Sequence, residues 1–277
     1  MFKAILVPLD GSPFSQTAFR YGLRLAKAFR AVLVGQTVVD VVALEGPFLH
    51  DLSGAMGFEP YLNLSTQMRR VLEERGRQIL EDFAETCRAE GVPCESFLDE
   101  GIVSSEICER AKSADLIVMG QKGVNARFDR GMLGSAAEGV TRKAPKPVLV
   151  TPLHEHPLTA PLLAYDGSAA ASKAMERAAE FAVALSLPLT VLYVGDPETG
   201  ERVLDEARRY FQAYALSPAF VREAGDPHRV ILSYAGTHGH DVLFMGAYGH
   251  HRIIEMVLGS TTEYLLRNAS IPVFVQR

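Results

Sequence analysis

No run in this 277-residue chain comes near the roughly 20 consecutive apolar residues needed to cross a bilayer, so no membrane-spanning helix is expected. Cysteine is scarce: Cys87, Cys94 and Cys108 are odd in number and lack CxxC spacing, which argues against a disulfide framework or a zinc site and leaves three ordinary thiols. Basic charge is in deficit. The 28 Lys and Arg against 33 Asp and Glu give a formal net charge of -5, the wrong balance for a nucleic-acid binder that neutralises phosphates with clustered cations. Met1-Phe2-Lys3 runs straight into an apolar segment rather than a signal-peptide core, so the cytoplasm is the expected location. Three well-known site motifs are also missing: the Gly-x-x-x-x-Gly-Lys-[Ser/Thr] P-loop, a Gly-x-Gly-x-x-Gly opening the first helix, and the Gly-x-Ser-x-Gly nucleophile elbow.

What the chain does have, it has twice. Asp10-Gly11-Ser12 returns as Asp166-Gly167-Ser168; Gly120-x-x-Gly123 followed by Gly134-Ser135 returns as Gly246-x-x-Gly249 followed by Gly259-Ser260. The separation that carries Asp10 onto Asp166 also carries Val38 onto Val194. Self-similarity of this kind means two copies of one module. At 48% hydrophobic content the length suits two domains of about 100–150 residues. The polar, proline-bearing stretch His154–Pro161 divides them, giving expected domains at 1–152 and 161–277.

Each copy opens on an apolar run, Ala4–Val7 or Leu162–Tyr165, that ends at a turn and is followed by apolar residues at helical spacing: Phe14, Ala18, Tyr21 and Leu25, or Ala174, Ala178, Phe181 and Leu185. Strands are expected next at Val32–Val34 and Leu189–Leu192, near Ser96–Leu98 and Phe220–Val221, at Leu116–Met119 and Val242–Met245, and at Pro147–Val150 and Pro272–Val275. Further helices are expected over 68–88 and 198–215. Strands alternating with helices imply right-handed crossovers and two roughly five-stranded parallel open sheets with helices on both faces, an α/β fold of Rossmann-like type. Ligands of such sheets collect beyond the carboxyl ends of the strands, where Asp10, Val38 and Gly120 all fall. Glycine there allows close backbone approach, and a turn into a helix aims several N–H groups at an anion. Ser135 and Ser260 at their helix starts have two uses, capping the backbone or donating to a phosphate, while Asp10 and Asp166 also suit helix caps and the glycines also suit plain turns.

The combination resembles the universal stress protein family in its tandem form, over nearly all of both halves. The ATP-binding branch of that family is marked by Gly-x2-Gly-x9-Gly-[Ser/Thr] after the fourth strand and an Asp at the end of the first. Gly246, Gly249, Gly259 and Ser260 match it outright; Gly120, Gly123, Gly134 and Ser135 match with one extra residue in the gap, Val124 to Leu133. The resemblance implies an adenine nucleotide, ATP, in each half, with Mg²⁺ or Mn²⁺ bridging its phosphates near Ser260 or Thr261. Asp10 and Asp166 would lie beside the adenine or ribose, and backbone groups at Val38 and Val194 would read the adenine edge. The glycines and serines would take the ribose and phosphates. It also implies that Val148–Val150 and Val273–Val275 pair across an intrachain pseudo-dimer, with a further homodimer left open. The implied function is regulatory: nucleotide occupancy alters loop order and contacts with a partner in a stress response.

Two alternatives belong to other classes. One is an enzyme that slowly hydrolyses ATP or transfers adenylate, for which the two copies share no evident nucleophile, general base or arginine finger. The other is a nucleotide-free interaction module docking through the apolar, Gly/Pro-punctuated 41–64 segment, the surplus of the first copy. His238, His240, His250 and His251 surround the second glycine loop in sequence but lack helical ligand spacing, and solvated loop histidines are the expectation, with phosphate contact by His250 or His251 held open. Arg127 or Arg130 could clamp a phosphate in the first copy, and Lys122 against Tyr248 gives the two pockets different charge.

Overall fold

The computed structural model describes residues 2–40, 58–126, 132–214, 216–247 and 259–277. Its first half runs β1 (Ala4–Pro8), α1 (Pro13–Phe29), β2 (Val32–Asp40), α2 (Phe58–Ala89), β3 (Cys94–Gly101), α3 (Val103–Arg110), β4 (Leu116–Gly120), α4 (Ser135–Lys143) and β5 (Val148–Thr151). The second half repeats the plan as β6 (Pro161–Ala164), α5 (Ala169–Leu185), β7 (Thr190–Val194), α6 (Pro197–Phe211), β8 (Ala219–Glu223), α7 (Pro227–Thr237), β9 (Val242–Gly246), α8 (Ser260–Asn268) and β10 (Val273–Gln276). No described helix is long and apolar enough to cross a membrane.

The strands form one ten-stranded sheet in the order β3-β2-β1-β4-β5-β10-β9-β6-β7-β8. Pairing is parallel inside each half and antiparallel at the seam, where Val150 faces Val273, Leu149 faces Phe274 and Val148 faces Val275. That is the pseudo-dimer pairing expected from the sequence, and it covers two edges that would otherwise offer unpaired backbone groups. The central strands β1, β4, β6 and β9 are apolar without alternation because helices cover both their faces.

The first helix of each half starts and stops by the same device. Ser12 accepts a hydrogen bond from Ser15 N, and Ser168 accepts one from Ala171 N. The preceding Gly11 and Gly167 adopt left-handed φ of +76° and +79°, which is why glycine stands between each Asp and Ser. Both helices end on a left-handed residue, Arg30 at φ 53° and Ser186 at φ 54°. The first helix is therefore capped by serine rather than by Asp10 or Asp166.

Five phenylalanines close the seam between the halves. Phe2 packs on Phe29 at 5.2 Å, Phe29 on Phe181 at 5.9 Å, Phe181 on Phe244 at 5.3 Å, Phe244 on Phe274 at 4.8 Å and Phe274 on Phe2 at 6.2 Å between ring centroids. At about 1 kcal/mol per pair beyond burial, this circuit gives the two halves one continuous core on the face covered by α1, α2, α5 and α6. On the other face, α3, α4, α7 and α8 pack over a second core that also runs through both halves.

Two expectations change in detail. The helix expected from residue 68 begins at Phe58, ten residues earlier, and Pro60 falls in its first turn, where a missing N–H is tolerated. Of the 41–64 segment, 41–57 lie outside the described residues and the remainder opens α2. The linker has no periodicity because side chains, not backbone pairing, fix it. Arg20 pairs with Glu155, Arg24 donates to the carbonyls of His156 and Pro157, and His156 N donates to the Tyr21 hydroxyl. Burial pushes the Tyr21 hydroxyl up to about 12.

Candidate functional site

The register of the first half brings the sequence-selected residues to one end of the sheet. β1 pairs with β2 as far as Pro8 and Gln36, and Leu9 N donates to Gln36 O at 2.7 Å. Beyond that point β1 turns away. Because alternate residues of a parallel strand aim both backbone groups to the same side, Val38 directs its N–H and C=O toward the space β1 has left. Its other neighbour, β3, is held through the Val38–Asp99 register. The second half copies this arrangement: Tyr165 N donates to Leu192 O at 3.0 Å, and Val194 ends β7 beyond it.

Asp10 joins the two loops that matter. One carboxylate oxygen accepts from Ser12 N at 2.9 Å, and the other accepts from Val124 N, just after Gly123, at 2.9 Å. A Cβ on Gly123 would lie 2.6 Å from that second oxygen, so a side chain there would displace the contact. Gly134 is buried and donates to Gln121 O at 2.9 Å; its Cβ would stand 3.1 Å from Lys122 Cα. It is the N-cap of α4, and among the described residues no side chain caps that helix. Ser135 is exposed at the first helical position, so it does not use its hydroxyl as a cap. The result is a helix start that no side chain caps among the described residues, next to a glycine loop strapped to Asp10, an arrangement that favours an anion.

In the second half, Asp166 accepts from Ser168 N at 2.9 Å. Gly259 is the N-cap of α8, again without a side-chain cap among the described residues, and Ser260 is exposed behind it. Thr262 Oγ1 donates to Ala247 O at 2.9 Å, tying the helix to the end of β9. Gly249, His250, His251, Arg127 and Arg130 lie outside the described residues. Gly120 and Gly246 have a packing role of their own. A Cβ on Gly246 would meet Ala171 N at 2.5 Å and Ala170 C at 2.6 Å, and one on Gly120 would meet Phe14 Cβ at 2.7 Å, so these glycines seat the first helix of each half on its fourth strand.

Several residues with defined roles were not singled out by sequence reasoning. Arg75 of α2 donates to the Asp10 carbonyl at 3.0 Å. Gln121, buried between the two Gly-x-x-Gly glycines, donates to Leu266 O at 3.1 Å and Ala269 O at 2.8 Å, satisfying carbonyls at the end of α8 in the other half. Asp115 accepts from Lys3 N and Ala4 N at 2.7 and 3.1 Å, while Asp241 accepts from Thr159 N, Thr159 Oγ1 and Ala160 N at 2.7, 2.9 and 2.7 Å. Each fastens the start of its half's first strand, and each stands five residues before the strand-terminal glycine, a signal visible in the repeat.

Of the four histidines grouped in sequence, His238 and His240 lie among the described residues. His238 and His240 stack on Tyr234 at the amino end of β9, with His240 Nδ1 3.1 Å from Ala160 O, whereas Gly246 ends the same strand at the opposite pole. His240 is half-buried rather than solvated, and burial holds its pKa below the ordinary imidazole value. Among the described residues no group of three or more His, Cys, Asp or Glu converges as a metal site. The cysteines are free thiols; burial, then neighbouring Cys94, pushes Cys87 up to about 12.

An α/β sheet built from two like halves, paired antiparallel through their last strands and presenting a glycine loop beside an uncapped helix start, defines the class. The universal stress protein family model matches residues 1–152 and 199–277, and the chain belongs to that family. It is 30% identical over 293 residues to universal stress protein Slr1230 of Synechocystis, covering 99% of this chain and 100% of that one. It is 35% identical to universal stress protein MJ0531 of Methanocaldococcus jannaschii over 54% of this chain and 82% of the relative. A universal stress protein from Archaeoglobus fulgidus has the same fold, with TM-score 0.79, 24% identity and coverage of 99% and 98% of the two chains.

Proposed function

We propose that this chain is an ATP-binding tandem universal stress protein, with modules at 1–152 and 161–277, that acts as a nucleotide-dependent regulator in a stress response. The observation that carries this reading is the Val124–Asp10 hydrogen bond, which sets an acidic strand end and a glycine loop side by side at the uncapped start of α4. The residues offer partners of the right chemistry for base, ribose and phosphates in turn. Val38 turns its N–H and C=O toward the side from which an adenine edge would approach, and Asp10 offers carboxylate oxygens to a ribose hydroxyl. Gly123 and Gly134 keep the backbone open to phosphates, and Ser135 adds a hydroxyl donor. Asp166, Val194, Gly246, Gly249, Gly259 and Ser260 take the corresponding roles in the second module. Bound ATP supplies a triphosphate charge that draws these N–H groups into one orientation, and Mg²⁺ or Mn²⁺ is carried in on its phosphates.

Binding of this kind gives the anion-facing end of the cradle a new acceptor, and the shift in loop population that follows is the regulatory output. The reading is one of binding rather than turnover. Isothermal titration of the full chain with ATP and Mg²⁺ tests it: Gly123→Ala, which displaces the Asp10 contact, is expected to weaken one class of site about tenfold or more. Unchanged affinity and stoichiometry in that variant would show that the first cradle is misassigned.

A further inference from the structure

The two Asp-Gly-Ser turns are alike in backbone and unlike in the charge set against them. In the first half, α2 packs Ile79 on Gly11, its Cδ1 3.1 Å from where a Cβ would stand. One helical turn earlier Arg75 lays its guanidinium on the same turn, with Nη2 3.0 Å from Asp10 O and 3.4 Å from the Gly11 Cβ position. In the second half, α6 packs Val203 on Gly167 in the same way, at 3.1 Å. One turn before Val203 stands Thr199, whose N–H is taken by Asp196 at 2.8 Å, and the charged atom beside Gly167 is Glu206 Oε2 at 3.9 Å.

Arg75 is exposed, and among the described residues its hydrogen bond is to one carbonyl, whereas a guanidinium carries five N–H donors in a planar fork. The nearby Asp10 carboxylate already accepts two backbone N–H groups, which offsets part of its charge. An arginine at the nucleoside end of a cleft accommodates a phosphate on the ribose, where an acidic residue in such a place accepts from a free ribose hydroxyl.

We infer that Arg75 is a specificity-determining residue: the first module accepts ATP but prefers an adenine nucleotide whose ribose carries a 2′- or 3′-phosphate, and the second has no such preference. The inference rests on the nucleotide reading above and adds the chemical class that separates the two sites. It is tested on the full chain by titration calorimetry with adenosine 5′-monophosphate, adenosine 2′,5′-bisphosphate and adenosine 3′,5′-bisphosphate. One bisphosphate is expected to bind a single site per chain about tenfold more tightly than the monophosphate, and which of the two does so identifies the oxygen read. In Arg75→Glu that ratio is expected to fall to about one with the thermal midpoint retained, and Arg75→Lys is expected to keep part of it. A ratio near one in the native chain, or a ratio that survives Arg75→Glu, would overturn the inference and leave the nucleotide reading standing. Failure of all three compounds and of ATP to bind would overturn both.

Discussion

After the last residue of β4 comes Gln121, which reaches into the other half and satisfies the carbonyls of Leu266 in α8 and of Ala269 at its C-cap; after the last residue of β9 comes Ala247, wholly buried, whose methyl group cannot reach back. The same contrast recurs at the neighbouring turns, Arg75 in one half and Glu206 in the other. Elsewhere the halves agree closely: serine caps, left-handed helix ends, strand-terminal glycines and the aspartates that fasten the first strands all recur. At these positions the copies keep what caps and fastens each module and differ in the residue that meets the opposite half or the candidate site.

That division can be broken by exchanging effects between the halves. The largest expected loss comes from Gly246→Ala, whose new Cβ would meet α5 backbone at 2.5 Å; about 3 kcal/mol of stability should disappear in urea unfolding, against about 2 kcal/mol for Gly120→Ala. Equal, negligible losses would mean that these glycines do not seat the helices. Asp241→Ala should cost about 2 kcal/mol, because a buried carboxylate with three donors is removed, and Asp115→Ala about 1 kcal/mol, since its site is more exposed and holds two. A reversed order would contradict the burial difference. Gln121→Ala should cost about 1.5 kcal/mol by leaving the α8 carbonyls unpaired, measured by the same unfolding transition.

The smallest effect separates the halves by pH. His240 of the second half stands where the first half has Ala114, and burial lowers its pKa from 6.5 against the opposing Ala160 contact; nearby His238 acts with burial and Asp241 against it. A lowered pKa means the folded state disfavours the proton. Its contribution is therefore complete above pH 6.5 and is lost as pH falls from there toward the lower folded value. The native chain should lose more stability between pH 7.5 and 5.5 than His240→Gln does, by less than about 1 kcal/mol. An identical loss in both would remove His240 from the account.

Strand and helix alternation, the Val148–Val150 pairing with Val273–Val275 and the placing of Asp10 and Gly120 at strand ends were legible because each depends on local pattern or on the repeat. Arg75 was not, since 65 residues separate it from the Asp10 carbonyl it meets and no spacing rule connects them. The early start of α2 was hidden by Gly57 and Pro60, which punctuate a loop and a first helical turn equally well. Capping was assigned to Asp10 as one reading, but Ser12 holds that position because glycine at φ +76° turns the chain between them. His240 looked solvated in sequence and is instead packed on Tyr234, a contact set by the end of α7.

The most direct measurement is a crystal structure of the full chain grown with ATP and Mg²⁺. Triphosphate density is expected against the N–H groups at the start of α4 beside Gly123 and Gly134, and again at the start of α8 beside Gly259. Side chains filling both clefts, with no nucleotide density at either helix start, would contradict the account.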